Sequence, residues 1–242
     1  SMGNFGSFVL CLFCIFKNFI SVEALALAYG AHLNGVKDNS YSSSVLNEKV
    51  RTVVADLHNE LRSKLANGRA ETKGNAYAPS GKNIYKLTYD LQLEEEAQKW
   101  AENCNFEHDR SAAASENLYF SEGEGTDPEF HLKAAINSWW SELKKYGISD
   151  PQNRLTLQVF NEGVGHFTAM AWGRSTKVGC GFAICPGRWT SQSANVVCRY
   201  REQGNMLYRP IYELGSPCEA DANCTTFANS KCSESEGLCL AP

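Results

Sequence analysis

Apolar residues recur at helical spacing in three stretches of the chain. The first stretch runs from Val45 to Leu65, and Gly68 is a suitable stop just beyond it. The second runs from Leu91 to Asn103, and the third begins after Asp127-Pro128, a pair typical of a helix cap and first turn. We therefore predict three helices, the last of which continues to about Tyr146.

After Pro151 the pattern changes to short β-branched and aromatic runs separated by turns that contain Gly and Ser. Three strands are predicted, at Phe167–Trp172, Val178–Ile184 and Ala194–Tyr200. Helices early in the chain and strands late predict an α+β domain, with helices packed over a mainly antiparallel sheet. The acidic triplet Glu94–Glu96, near the start of the second helix, is predicted to form a solvated face.

The cysteines indicate the cellular compartment. Cys11 and Cys14 lie in an apolar run that is too short to span a bilayer and fits the core of a signal peptide, with Ala24, Ala26 and Ala28 as cleavage sites downstream. Residues 1–28 are thus predicted to be a signal peptide and 29–44 a flexible lead-in. The other eight of the ten cysteines form an even set, which predicts a secreted, disulfide-bonded protein without a transmembrane anchor.

Residues 208–242 form a Ser-, Asn- and Glu-rich tail that contains four of these cysteines. Such a short segment cannot bury a core of its own, so we expect disulfide bridges to hold it. Asn223 lies in an Asn-Cys-Thr glycosylation sequon, although its middle residue is expected to be bridged. The net charge of −4 provides no basic field, which argues against a nucleic-acid partner.

Four side chains able to hold a metal or move a proton stand in distinctive local sequences: His108, Glu116, Glu142 and His166. Two imidazoles and two carboxylates that converge would bind a divalent metal or perform acid–base chemistry. The alternative is a set of hydrogen-bonded polar residues that shape a cleft and hold no ion. His58 and His131 lie on predicted helices and are interpreted as structural or exposed residues.

Several motifs together resemble the CAP superfamily, which comprises cysteine-rich secretory proteins, antigen 5 and pathogenesis-related proteins. Gly165–Trp172 matches the first family signature, and Val197–Tyr200 with Gly204–Met206 matches most of the second, from which Asn195 and Glu202 depart. The resemblance extends over residues 45–207. Within the superfamily, the chain is most similar to the secreted venom-allergen-like proteins of parasitic nematodes. Further matching segments are Leu57–Arg62, Ala97–Cys104 and Ser115–Tyr119, the last with Ser115 where Gly is more usual.

The resemblance implies a fold and a site. The fold is a three-layer α-β-α sandwich, the CAP domain, over residues 45–207, with a short disulfide-rich C-terminal extension. The site is a central cleft in which His108 and His166 bind a divalent metal weakly, zinc above all, and Glu116 and Glu142 support them. The implied disulfide pairs are Cys104–Cys185, Cys180–Cys198, Cys218–Cys232 and Cys224–Cys239.

The function that the resemblance implies is that of a non-enzymatic secreted effector, which binds sterol or fatty acid and modulates host responses. Apolar residues on the first and third helices either leave a gap for an acyl chain or simply fill the core: Leu57, Leu61, Ile136 and Trp140.

Two alternatives stay open. One is a metal-dependent or serine-type hydrolase that uses the same cleft, with Ser111 or Ser115 near His108 as nucleophile, although the sequence contains neither Gly-x-Ser-x-Gly nor His-Glu-x-x-His. The other is a protein ligand of a host receptor with no role in lipid binding.

Overall fold

Three long helices form where the apolar periodicity predicts them. The computed structural model describes residues 45–123 and 125–242, so the predictions for residues 1–28 and 29–44 lie outside the described part. The helices are α1 (Glu48–Ala66), α2 (Leu91–Glu102) and α3 (Pro128–Tyr146). Each begins at a side-chain cap, because the carboxamide or carboxylate of Asn47, Asp90 or Asp127 accepts a backbone N–H of the first turn.

The strands include one four-stranded sheet and three short two-stranded pairings. The sheet contains β4 (Thr88–Tyr89), β5 (Ser115–Glu122), β6 (Lys177–Pro186) and β7 (Gln192–Arg201) in the order β4-β6-β7-β5. β4 and β6 are parallel, and the other two neighbouring pairs are antiparallel. The shorter strands are β1 (Glu71–Thr72), β2 (Ala76–Tyr77), β3 (Gly81–Lys82), β8 (Glu213–Leu214), β9 (Lys231–Ser233) and β10 (Leu238–Leu240).

The alternation of residues along β6 explains the three layers. Val178, Cys180 and Phe182 point into the core cluster that α1 and α3 share with the sheet. Gly179 and Gly181 face the opposite way, against α2, where a Cβ would lie 2.4 Å from backbone atoms of that helix. Helices thus cover both faces of the sheet, and the predicted α-β-α sandwich is confirmed.

The prediction of a strand at Phe167–Trp172 was wrong. Residues Gly165–Ala171 form the short helix α5, which follows another short helix, α4 (Leu157–Asn161). Every side chain from Phe167 to Ala171 is buried, so the run shows no polar face and its periodicity cannot distinguish a helix from a strand. The Glu142 carboxylate on α3 accepts the backbone N–H groups of His166 and Phe167, and it thereby satisfies the start of α5.

The acidic triplet of α2 is only partly a solvated face. Glu94 is buried, and its carboxylate accepts hydrogen bonds from the Arg51 guanidinium at 2.8 and 2.9 Å and from the Tyr89 hydroxyl at 2.7 Å. These partners come from other elements of the fold, so the charge pattern of α2 alone could not predict them.

The C-terminal tail packs against the sandwich. β8 pairs with β3, and Ile211, Tyr212 and Leu238 belong to a core cluster that also contains residues of α1, α3 and α5. The structure joins Cys104 to Cys185, Cys180 to Cys198, Cys218 to Cys232 and Cys224 to Cys239, which are the pairs that the resemblance implies.

Two smaller predictions concern the surface. Among residues 45–123 and 125–242, no helix has both the length and the apolar character needed to cross a bilayer. Asn223 is exposed at the end of a short 3-10 helix, where its side-chain oxygen accepts the backbone N–H groups of Glu219 and Ala220.

Candidate metal centre

His166 lies at the start of α5 and is held by Glu142 on the neighbouring helix α3. One oxygen of the Glu142 carboxylate accepts the His166 Nδ1–H at 2.6 Å, while the other accepts the backbone N–H groups of His166 and Phe167 at 3.0 and 2.9 Å. The Trp139 ring stacks on the imidazole, with 6.1 Å between centroids and 17° between planes. Two residues of α3, Trp139 and Glu142, therefore fix the orientation of this ring.

His108 lies on the loop between α2 and β5 and is held by Glu116 on β5. Its Nδ1 bonds to Glu116 Oε1 at 3.0 Å, and the same oxygen accepts the backbone N–H of Asp109 at 3.0 Å. The other carboxylate oxygen accepts two bonds from the Arg199 guanidinium, at 3.0 and 3.1 Å. Glu116 is buried, whereas 61% of the His108 side chain is exposed.

The four predicted site residues line one cavity of about 300 Å³. Each imidazole uses Nδ1 to donate to a carboxylate, which assigns the proton to Nδ1 and leaves the Nε2 lone pair free to bind a metal. The donor set therefore fits a divalent cation held by two imidazoles. Two protein ligands are fewer than the three typical of catalytic zinc, so the expected affinity is modest.

A closed metal site is not preformed. Among the described residues, three ligand atoms of the kind that hold a metal lie within 4.8 Å of one another at Cys218, Cys224 and Cys232. All three of these sulfurs are in disulfide bonds, and none belongs to the cleft.

Three residues that support the site were not singled out from the sequence. Arg199 stands opposite Glu116 in the β5–β7 register. Asn117 donates to the His166 carbonyl at 3.0 Å, and Asn205 donates to the Gly165 carbonyl at 2.8 Å. The Asn205 side chain also accepts from the Thr168 hydroxyl, so the second family signature contacts the first. Arg199 and Asn205 lie within the matched signature, which was the available signal for them.

The two serines considered as nucleophiles have other partners. The Ser111 hydroxyl donates to the Asp109 carboxylate at 2.6 Å, and the Ser115 hydroxyl accepts the Gly204 N–H at 2.6 Å. Ser115 is buried, and its bond to Gly204 accounts for a hydroxyl at the position where glycine is more usual. A different serine, Ser121, contacts the ring of His131 at 3.2 Å, but neither residue lines the cleft.

The two other histidines of the helices, His58 on α1 and His131 on α3, are buried outside the site. His58 bonds through Nδ1 to the Val54 carbonyl at 2.8 Å and through Nε2 to the Tyr200 hydroxyl at 3.0 Å. His131 is also buried and hydrogen-bonded. Both are structural residues, as interpreted from the sequence, although both are more deeply buried than a helix surface would allow.

These features define a class of protein: a disulfide-bonded α-β-α sandwich with two carboxylate–histidine pairs in one cleft. The model of the cysteine-rich secretory protein family, CAP, matches residues 55–200, and the chain belongs to this family. Within it the chain is of the venom-allergen-like type.

The relatives are secreted proteins and venom allergens by name. The Ancylostoma secreted protein of Ancylostoma caninum is 32% identical over 207 residues, which cover 83% of this chain but 46% of the relative. The chain thus spans about half the length of that protein. Venom allergen 5 of Microctonus hyperodae is 33% identical over 188 residues, with coverage of 74% and 77%.

Solved structures resemble the whole described sandwich. BmVAL-1 matches with a TM-score of 0.73 and 35% identity over 83% of this chain and 98% of its own. NaASP2, solved with Zn2+, matches with a TM-score of 0.71 and 32% identity over 81% of this chain and 98% of its own.

Proposed function

We propose that the chain is a secreted, non-enzymatic effector whose cleft binds one divalent metal ion weakly through His108 and His166. The observation that carries this proposal is that both imidazoles share one cavity and both use Nδ1 for a carboxylate. Zinc suits imidazole ligands, and a related protein has been solved with Zn2+. When bound, the ion would polarise a water or ligand oxygen in the cleft, while Glu116 and Glu142 keep the rings oriented.

Calorimetric titration of the protein with Zn2+ tests the metal site. We expect one ion per chain, and we expect His108→Ala and His166→Ala each to weaken binding by at least tenfold. Glu95→Gln is a suitable control, because Glu95 is exposed on α2 and forms an ion pair with Lys99, away from the cleft. Unchanged binding in both histidine variants would contradict the proposal.

The secreted location is supported by the four disulfides and by the relatives, whose names include a secreted protein. Action on a host is part of the proposal and is supported by the venom-allergen-like type. Native mass spectrometry of protein collected from its own secretions tests the secreted location and the kind of partner. A co-purifying receptor would favour the alternative, a protein ligand with no role in lipid binding.

We also propose that the protein takes up sterol or fatty acid, a role supported by its family membership. Leu61 and Ile136 are buried in the core that α1 and α3 share, which favours the alternative that they fill the core over a gap for an acyl chain. Leu57 and Trp140 are partly buried against the core clusters. Saturable uptake of labelled cholesterol or palmitate is the expected result, and no uptake of either would remove this part of the proposal.

The hydrolase alternative has less support in the cleft. Ser111 and Ser115 have other partners, and the Nδ1 atoms of both cleft histidines are bound to carboxylates. Incubation with diverse peptides, with and without Zn2+, tests this alternative. Turnover that disappears in His166→Ala would establish the enzyme in place of the binding protein.

A further inference from the structure

A second cavity lies outside the metal centre, beside the C-terminal end of α5. Its volume is about 390 Å³, and it is lined by Asn83, by residues 172–174 and by residues of the segment 203–213. Ligand pockets typically have volumes of roughly 300–1,000 Å³, so the space suits a small organic molecule. Because Trp172, Ile211 and Tyr212 are buried in a core cluster, the walls that they supply are fixed by packing.

The wall is mostly apolar, but two arginines stand at its edge. Arg174 and Arg209 are both exposed, and within residues 45–123 and 125–242 neither guanidinium has an acidic partner. The one acidic side chain of the wall, Glu213, is already matched by the Lys82 ammonium at 3.7 Å and the Asn83 amide at 3.2 Å. The uncompensated charge of the cavity is therefore positive.

We propose that this cavity binds an organic anion with a flat apolar body of two or three rings. The wall that Trp172 and Tyr212 contribute to is mostly apolar, and a volume of about 390 Å³ suits an apolar body of two or three rings. A carboxylate, sulfate or sulfonate group suits the guanidinium groups of Arg174 and Arg209, since these present planar donors to oxyanions. This site is independent of the His108 and His166 cleft, whose cavity shares no lining residue with it.

The cysteine-rich tail positions one of the two arginines. The Arg174 guanidinium lies over the Phe227 ring, 5.4 Å from its centroid, and that ring packs edge-on against Tyr85 at 4.9 Å. The Phe227 N–H donates to the Tyr85 hydroxyl at 3.2 Å, and the Cys224–Cys239 bridge lies in the same small cluster. Phe227 is thus a positioning residue, and this contact gives the tail a role in the site.

The tail also contacts Asn83, another residue that lines the cavity. Asn83 accepts the Thr225 N–H at 2.8 Å and donates to the Thr225 hydroxyl at 3.0 Å, while the same amide reaches Glu213. Thr225 and Phe227 do not line the cavity themselves, but they contact two residues that do, Asn83 and Arg174.

Two fluorescent probes test the proposal. 8-Anilinonaphthalene-1-sulfonate supplies a flat body and an anion, and N-phenyl-1-naphthylamine supplies the same rings without the sulfonate. We expect the sulfonate to bind the wild-type protein, and its affinity to fall by at least tenfold in Arg174→Gln/Arg209→Gln. The affinity of the neutral probe should change by less than about twofold. Phe227→Leu keeps an apolar side chain but removes the ring, and we expect the affinity for the sulfonate to fall by roughly threefold.

A charge-matched control and a local readout keep the test decisive. Arg69→Gln/Lys73→Gln removes two exposed cations from another part of the surface and should leave sulfonate binding unchanged. In proton–nitrogen NMR spectra, the Trp172 indole N–H should shift on titration with the sulfonate. Equal losses in the two double variants, or shifts confined to residues outside this cavity, would overturn the proposal. Zinc binding should be the same in all of these variants, so a failure here is distinct from a failure of the metal site.

Discussion

The two carboxylate–histidine pairs of the cleft are chemically alike, but different parts of the fold hold them. The Glu142 carboxylate accepts backbone N–H groups at the start of α5, and no guanidinium or ammonium group contacts it within the described residues. Glu116 lies on a strand and receives a buried guanidinium, that of Arg199. The same orientation of an imidazole can therefore be supported by a helix start or by a cross-strand cation.

The difference extends to the mobility expected for each ring. His166 is stacked on Trp139 between two helices, and 37% of its side chain is exposed. His108 lies on a loop and is mostly exposed, so its ring is held mainly by the bond to Glu116. We infer that His166 is the fixed ligand of the proposed site and that His108 completes it when a metal binds.

The largest effect is expected from Arg199→Met. This change leaves Glu116 and Asp109 without the buried cation that both contact, and breaking a buried ion pair typically costs about 3–5 kcal/mol. Urea unfolding measures the loss. Arg201→Met is the matched control on the same strand, since Arg201 is more exposed and its nearest acidic contact is 3.7 Å away, and it should cost about 1 kcal/mol or less. Equal losses in the two variants would show that Arg199 has no special role.

The second effect is a pH dependence of stability that arises from the buried His58. Burial lowers the pKa of His58 to about 4, from an ordinary value of 6.5. The unfolded chain therefore takes up a proton at higher pH than the folded one does. Above pH 6.5, the neutral His58 makes its full contribution to the free energy of unfolding. This free energy falls by roughly 3 kcal/mol as the pH falls from 6.5 towards 4.

His58→Gln checks this assignment. Urea unfolding of the wild type and the variant at pH 7 and pH 4.5 isolates the histidine contribution, because the carboxylates titrate in both proteins. The difference in unfolding free energy between the two proteins should narrow at the lower pH. A constant difference at both pH values would contradict the account.

Glu142→Gln is expected to have a smaller effect on stability. The amide keeps one oxygen acceptor but cannot serve the imidazole and both backbone N–H groups, so the start of α5 loses part of its cap at a cost of about 1–2 kcal/mol. Zinc affinity should fall by about 10–100-fold, as it does when a partner that orients a ligand is lost. Thermal unfolding and zinc titration measure the two effects, and Glu95→Gln should change neither.

The smallest effect on stability distinguishes the two imidazoles. His108→Ala should change the free energy of unfolding by less than about 0.5 kcal/mol, because the ring is mostly exposed. His166→Ala also removes the stacking on Trp139, and we expect a loss of about 1 kcal/mol. Urea unfolding measures both losses. If His108→Ala lowered the free energy of unfolding more than His166→Ala, then His108 and not His166 would be the fixed ligand.

The sequence predicted the three long helices and the strands β6 and β7 because their signals are local, but it did not predict the eight-residue strand β5. The caps Asp90 and Asp127 and the apolar spacing of α1 to α3 act within one helix, and β6 and β7 carry β-branched and aromatic residues between turns. The segment Gly165–Ala171 was misassigned because its environment, and not its own pattern, decides its conformation. Glu142, which lies on another helix, accepts the N–H groups of its first turn, and the local sequence of residues 165–171 does not indicate this contact.

The sequence identified the four side chains of the candidate site, but it did not identify the residues that hold them in place. The four side chains that line the cleft were available from their local motifs and from the family resemblance. The pairing of Arg199 with Glu116 depends on the register of β5 and β7, and the burial of Glu94 depends on Arg51 from another helix. Such partners are set by tertiary packing, so a single sequence does not contain them explicitly.

The central claim is that two imidazoles oriented by carboxylates bind one metal ion through Nε2. Long-range proton–nitrogen NMR of the histidine side chains during titration with Zn2+ tests it directly, with His108→Ala and His166→Ala to assign the signals. The account predicts that the Nε2 resonances of His108 and His166 shift together at one equivalent, while both Nδ1 atoms stay protonated. Shifts at Nδ1, or a shift of only one of the two rings at saturation, would contradict it.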